Sequence, residues 1–277
     1  MKLTPYDCSI HTHSAFCDGE NSMAEMAEAA FAAGVKYFGV SGHVHTPLPE
    51  DEGLCLDADL TAYRQETERL RREYAGRMEI LLGIEWDDCS DVPVPEGMDF
   101  WIGSVHNLQD RKTGRYHIID WKPEFLQTCR DEMFGGDMMA LVAGYYRAVA
   151  GVAEKKPTIL AHFDQITKLN GDGAFFDEES PRYRTCALEA LHAADPGTTL
   201  LEINTGAMAR KYRSAPYPAA FLLEEWKRMG GGIIISSDAH SAERILHAYE
   251  HAVAAAKRAG FRECMLLTAG GPVACPL

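Results

Sequence analysis

The sequence has no Cys-x-x-Cys pair, no internal repeat and no stretch of biased composition. Its eight cysteines (Cys8, Cys17, Cys55, Cys89, Cys129, Cys186, Cys264 and Cys275) are scattered, which excludes a disulfide scaffold or zinc ribbon and predicts reduced thiols in a cytoplasmic protein. No apolar run approaches the ~20 residues that cross a bilayer. Met1 to Ile10 lacks a basic segment followed by an apolar one, so no secretory leader is expected. Positive charge is scarce: 27 Lys and Arg face 41 Asp and Glu, a net charge of −14. Such a surface argues against a dedicated nucleic-acid binder, which needs basic stripes along the phosphate backbone. Small anionic substrates remain open, because bound cations reverse the sign locally. No linker rich in Pro or Gly divides the 277 residues, so one domain spanning 1–277 is expected.

What is present is an alternation of short apolar runs with longer amphipathic ones. Strands are predicted over Tyr6–Ile10, Val35–Ser41, Met78–Ile84, Asp99–Val105, Thr158–Ala161, Thr199–Asn204 and Gly232–Ser237, with an eighth over Met265–Thr268. Helices are predicted over Ser22–Ala33, Asp59–Tyr74, Asp137–Glu154, Ser180–Ala194, Pro218–Met229 and Ala242–Ala259. The first opens on a capping box, Ser22 to Glu25, and closes at Gly34. Regular strand-then-helix order implies an α/β fold with parallel strands, and this number of strands suits a barrel. Thr46–Leu56 and Asp110–Phe134 read as long loops, where function concentrates.

Almost every strand runs into a metal-ligating side chain. Strand one leads to His11 and His13, with Asp18 beyond. The next strands lead to His43, Glu85, His106 and His162, and the seventh to Asp238 and His240. In a parallel barrel these ends share one mouth. A period of two brings both imidazoles of His11-Thr12-His13 to one side. Mixed imidazole and carboxylate donors suit Zn, Mn or Fe better than Mg or Ca. Nine ligands exceed the four or so of a single tetrahedral ion, so two or three ions are expected, with Glu85 as a bridge. Each piece alone has an ordinary reading: a chance His-x-His, a turn aspartate at Asp18, a core histidine at His43. Only their convergence carries the argument.

The motifs His11-Thr12-His13, Gly83-Ile84-Glu85, Gly103-Ser104-Val105-His106, His162 and Ser237-Asp238-Ala239-His240 resemble the PHP (polymerase and histidinol phosphatase) superfamily in its own order. Ser41-Gly42-His43-Val44-His45-Thr46-Pro47, Glu202 to Gly206, Arg210 and Pro216-Tyr217-Pro218 are similar to its histidinol-phosphatase branch. The resemblance implies a distorted (β/α)7 TIM-like barrel with a trinuclear centre. His11, His13, Glu85 and Asp238 would hold one ion. Glu85, His106 and His162 would hold the second, and Asp18, His43 and His240 the third. Gly42 departs from the Asp often found there, and Ala269–Pro272 lacks an expected basic residue.

The reaction expected is phosphomonoester hydrolysis, with L-histidinol phosphate as substrate and a metal-bridging hydroxide as nucleophile. Glu85, Asp238 and His240 are the expected catalytic centre. Arg210 is the expected phosphate clamp and Arg213 the alternative, with His45 and Ser104 as further substrate contacts. Asp164, His45 or a water would protonate the leaving oxygen. Trp86, Trp101 and Trp121 are candidate pocket walls, whereas His117, His192, His247 and His251 read as structural or surface groups. Three other activities stay open: an oligonucleotide phosphodiesterase, a phosphotyrosine phosphatase, and a non-catalytic scaffold.

Overall fold

The computed structural model describes residues 2–277. Eleven strands run in chain order: β1 (Cys8–Ser9), β2 (Tyr37–His43), β3 (Glu79–Asp87), β4 (Phe100–Ser104), β5 (Asn107–Gln109), β6 (Tyr116–Ile118), β7 (Ile159–Leu160), β8 (Leu200–Asn204), β9 (Ile233–Ser236), β10 (Glu263–Thr268) and β11 (Gly271–Pro276). Eight α-helices intervene: α1 (Met23–Ala32), α2 (Thr61–Glu73), α3 (Pro123–Phe134), α4 (Met138–Ala153), α5 (Pro181–His192), α6 (Gly206–Ala209), α7 (Ala220–Arg228) and α8 (Tyr249–Arg258). None is long and apolar enough to cross a membrane.

One nine-stranded sheet organises the molecule, in the order β1-β2-β3-β4-β7-β8-β9-β10-β11. All its pairings are parallel except the last, β10 with β11. The fold is thus α/β with a curled, mostly parallel sheet. A parallel bridge between Thr12 and Ala239 joins the continuation of β1 to that of β9, so the first and seventh expected strands meet at the site. The strand interiors are continuous apolar runs, such as Ile233-Ile234-Ile235, because both faces are covered.

The helices follow local rules. Ser22 caps α1 by accepting from the Glu25 amide, and Glu25 returns the bond to the Ser22 amide. Asp137 and Ser180 cap α4 and α5 in the same manner. Tyr145, Tyr146 and Tyr183 fill the space between α4 and α5, and the Tyr146 and Tyr183 hydroxyls bond at 2.9 Å.

Three expectations need correction. The stretch 110–134 is no loop: it holds β6 and α3, and β5 pairs with β6 in a separate hairpin. The predicted last helix is broken, with a 3-10 turn at Ala242–Arg244 and Ala248 at φ +56° before α8. His247 and His251 therefore do not share a helical face. The chain also adds β11, an antiparallel strand beyond the eight expected. Its turn places Ala269 against Glu79, at the opposite end of β3 from Glu85, so a basic residue there would not reach the site.

Candidate metal centre

The backbone from His11 to His13 continues β1 in extended form. The His13 amide donates to the Ala239 carbonyl at 2.8 Å, and the Ala239 amide to the His11 carbonyl at 3.1 Å. Alternation then puts His11 and His13 on one side, with ring centroids 5.2 Å apart, while the Thr12 hydroxyl turns away to the Gly39 carbonyl. On the neighbouring strands, register sets His43 beside Glu85.

Glu85 is the hub. Its Oε2 lies 3.0 Å from His11 Nε2, 3.2 Å from His43 Nδ1 and 3.3 Å from His13 Nε2. Its Oε1 lies 3.0 Å from His162 Nε2 and 3.4 Å from His106 Nε2. Asp238 Oδ1 stands 3.2 Å from His13 Nε2, and Asp18 Oδ2 3.1 Å from His240 Nε2. All nine ligand candidates gather here. Their donor atoms form overlapping groups within 4.8 Å: His13, Asp18, His43 and His240; His11, Glu85 and His162; His11, His13 and Asp238; His43, Glu85 and His106. His43 thus joins the group of Asp18 and also that of Glu85.

A layer of acceptors fixes the rings from behind. Glu202 is fully buried, and its Oε1 accepts from His11 Nδ1 at 2.6 Å. Its Oε2 accepts from the His162 amide at 2.8 Å and from Asn204 at 2.9 Å. Asp87, two residues past Glu85 and so on the same face of β3, accepts from the His106 amide at 2.6 Å and lies 3.1 Å from its Nδ1. His240 Nδ1 donates to the Asp238 carbonyl at 2.9 Å. For His11, His106 and His240 the contact uses Nδ1 and leaves Nε2 as a lone pair facing the cluster. Asp238 takes φ +49°, and a side chain at Gly206 would begin 2.9 Å from its carboxylate. Glu202 and Asp87 escaped the sequence reading as site residues. Glu202 lies inside the apolar run Thr199–Asn204, so a carboxylate within a predicted strand was visible in the sequence.

The electrostatics match a site built for cations. Burial disfavours the charged Glu85, but His11, His43 and His106 hold its carboxyl well below the usual range. Asp238 is likewise held low against burial by His11, His13, His240 and Arg210, and Asp18 is low beside His43 and His240. Burial opposes protonation of His11, yet Glu202, Glu85 and Asp238 raise it well above an ordinary histidine. Burial pushes His43 down to about 4. His13 Nε2 and Asp18 Oδ1 are buried with no hydrogen-bond partner, although carboxylates crowd around His13. Unpaired imidazole and carboxylate donors aimed at shared points fit divalent N/O-binding ions.

Above the cluster opens a pocket of about 310 Å³, with Asp18, His43, Glu85, His106, Asp238 and His240 in its floor. Arg210 lines it and reaches Asp238 Oδ2 at 3.2 Å. The other expected substrate contacts lie elsewhere. Arg213 pairs with Glu178 at 2.8 Å and donates to the Thr167 carbonyl, because the turn after α6 points it under the loop that follows β7. His45 pairs with Asp91 on the surface, and the Ser104 hydroxyl donates back to the Trp86 carbonyl. Asp164 is buried and accepts from the Ala219 amide, away from the pocket. Trp86 donates to the Val92 carbonyl and packs on Trp101, whereas Trp121 does line the pocket. Gly42 has Leu56 2.7 Å from where a Cβ would stand, so this packing has no room for an aspartate there.

Several known proteins are similar to this chain. It is 26% identical over 266 residues to the histidinol-phosphatase of Bacillus subtilis, covering 87% of this chain and 96% of that protein. It is 25% identical over 266 residues to the histidinol-phosphatase of Lactococcus lactis, covering 91% of each. The crystal structure of histidinol phosphate phosphatase from Lactococcus lactis, complexed with Zn, L-histidinol and phosphate, shares the fold with a TM-score of 0.67 and 22% identity, over 96% of this chain and 98% of that one. The PHP domain model matches residues 9–206, which include seven of the nine gathered side chains, all but Asp238 and His240, and Glu202 behind them. The chain belongs to the PHP domain family.

Proposed function

We propose that this protein is a metal-dependent phosphomonoesterase that hydrolyses L-histidinol phosphate to L-histidinol and phosphate. The observation that carries the reading is the gathering of nine His, Asp and Glu donors in one cluster, six of them in the floor of one pocket with Arg210 beside them. The names of the similar proteins from Bacillus subtilis and Lactococcus lactis support the choice of substrate. On this reading one domain, 1–277, forms a distorted (β/α)7 barrel. It carries two or three ions of Zn, Mn or Fe. His11, His13, Glu85 and Asp238 hold the first, Glu85, His106 and His162 the second, and Asp18, His43 and His240 the third.

Divalent ions bound there lower the pKa of water toward neutrality and neutralise charge on the phosphoryl oxygens. The protein's own groups do the rest. Glu202 and Asp87 hold His11 and His106 in the tautomer that leaves Nε2 free. Arg210 offers its guanidinium to the phosphoryl group from the pocket wall. Water oxygen bonds to phosphorus as the ester P–O bond breaks; of the water's two protons one ends on the leaving oxygen, which departs as the alcohol, and the other stays with the phosphate.

The test is phosphate release by the metal-reconstituted enzyme. Turnover of L-histidinol phosphate is expected to exceed that of an oligonucleotide or a phosphotyrosine peptide by at least ten-fold. A chelator-sensitive enzyme that prefers the oligonucleotide would refute the substrate and keep the metal centre.

A further inference from the structure

The pocket wall above the cluster has a charge pattern that its floor does not explain. Asp120 is neutralised within the wall: its Oδ2 lies 2.9 Å from Lys168 Nζ and accepts from Gln165 at 2.7 Å. Arg210 is matched to Asp238. Two further wall carboxylates, Glu50 and Asp51, join no ion pair among the described residues. Asp51 is half-buried, and among the described residues its carboxylate accepts only the Thr46 hydroxyl. Burial, Asp87 and Asp120 push its carboxyl above the usual range, so its ionised form gains from a cation brought nearby.

A second feature of the same wall points to a ligand. Asn107 is 3% exposed, lines the pocket, and leaves its side-chain oxygen without a hydrogen-bond partner among the described residues. Buried acceptors are normally satisfied, and an orphan facing a cavity marks where a donor arrives. A third feature is aromatic. Trp121 and Tyr212 line the mouth while still 46% and 40% exposed; Trp121 stacks on Phe125 beneath the Lys122 ammonium and Tyr212 carries the Lys168 ammonium over its ring, so their exposed ring edges supply apolar surface at the mouth.

We propose that Asp51 and Asn107 form a leaving-group subsite that selects phosphomonoesters whose alcohol carries a protonated amine, with Trp121 and Tyr212 covering the remainder. The proposal rests on the phosphomonoesterase reading of the floor and assigns the recognition of the group being released. The phosphoryl end goes to the floor and Arg210. The ammonium pairs with Asp51, and an N–H of the same group donates to Asn107.

The test compares wild type with Asp51→Asn in the metal-reconstituted enzyme. Two pairs of substrates serve: L-histidinol phosphate against p-nitrophenyl phosphate, and phosphoethanolamine against ethyl phosphate. Metal content of both proteins is measured alongside. The kcat/KM ratio of the amine-bearing to the amine-free member is expected to fall ten-fold or more in Asp51→Asn, chiefly through KM. Ten-fold corresponds to about 1.4 kcal/mol. L-histidinol binding, followed by calorimetry without any turnover, is expected to weaken by a similar factor, and Asp51→Glu to restore part of it. Unchanged ratios in both pairs, at unchanged metal content, overturn the subsite. An enzyme inactive on L-histidinol phosphate but with an amine preference that Asp51→Asn abolishes refutes the substrate named above and upholds the subsite.

Discussion

Replacing Glu85 by Gln tests the centre at its most connected point. The wild-type carboxylate lies within 3.4 Å of five imidazole nitrogens, from His11, His13, His43, His106 and His162. The change keeps the shape, removes the charge and turns one acceptor into a donor facing ring nitrogens. Removing one member of a buried charged pair costs about 3–5 kcal/mol. Spread over sites that share this oxygen pair, that is a loss of roughly two to nearly four decades in metal affinity, at about 1.4 kcal/mol per decade. Elemental analysis after gel filtration should show at least two ions fewer than wild type, and phosphate release should be abolished. Circular dichroism should be nearly unchanged, because the sheet and its helices are held by an extensive apolar core. A variant with full metal content and a normal rate would remove Glu85 from its bridging place.

Glu202→Gln should lower metal affinity about 10- to 100-fold, since it loosens His11 and the His162 amide without removing a ligand; excess metal should restore most of the rate. In chelated protein, His11 and His13 are raised above their unfolded values, so their stabilisation is complete below about pH 6.5 and is lost as pH rises through the folded values; Glu85 and Asp238 are depressed, so theirs is complete above about pH 4 and is lost as pH falls. The Tm of chelated protein should therefore decline on both sides of that window, and a flat alkaline limb would contradict the pairing. Arg210→Ala should raise KM by ten-fold or more, whereas Arg213→Ala, which breaks the Glu178 pair and the Thr167 contact, should lower Tm and leave KM unchanged.

The candidate ligands other than Asp18 were legible because each stands at or just past the end of a short apolar run, and parallel topology converts that regularity into one mouth. Glu85 stood out as a carboxylate directly after the apolar run Met78–Ile84. Glu202 carried a related signal inside its run, between Leu201 and Ile203, but nothing local names its partner, which lies 191 residues away at His11. The arginines show the limit of motif reading. Arg210 and Arg213 are three residues apart, yet the turn after α6 sends one to the pocket and the other to Glu178. Helix α3 carried its own signs, Pro123 in its first turn and Gly135 at φ +61° just past its end. The flanking three-residue strands β5 and β6 are too short for alternation to register. The break at Ala248 has no local cause in sequence, since alanine does not favour that backbone region. Asp51, Asn107, Asp120 and Lys168 meet only through tertiary structure, and no spacing announces the pocket wall.

The acidic character of the site makes a final demand on the chemistry. Without cations, Glu85, Asp238 and Asp18 stand ionised in the pocket floor, with Glu50 and Asp51 above them. A phosphate dianion entering there meets repulsion of about 4 kcal/mol for each unit charge pair at 4 Å, taking an effective dielectric constant near 20. Arg210 offsets only a fraction of this, because Asp238 already holds it, and the raised imidazoles of His11, His13 and His106 are likewise already engaged by Glu202, Glu85, Asp238 and Asp87. Anion affinity must therefore arise with the bound ions, and linkage makes the coupling reciprocal: what promotes phosphate binding must be retained by phosphate. Inorganic phosphate should slow the loss of metal to a chelator, and Arg210→Ala should diminish the protection. Metal release measured at constant ionic strength, with and without phosphate, decides the matter. Equal release rates would mean that the anion does not sit over the cluster, and that the pocket floor is not where the phosphoryl group binds.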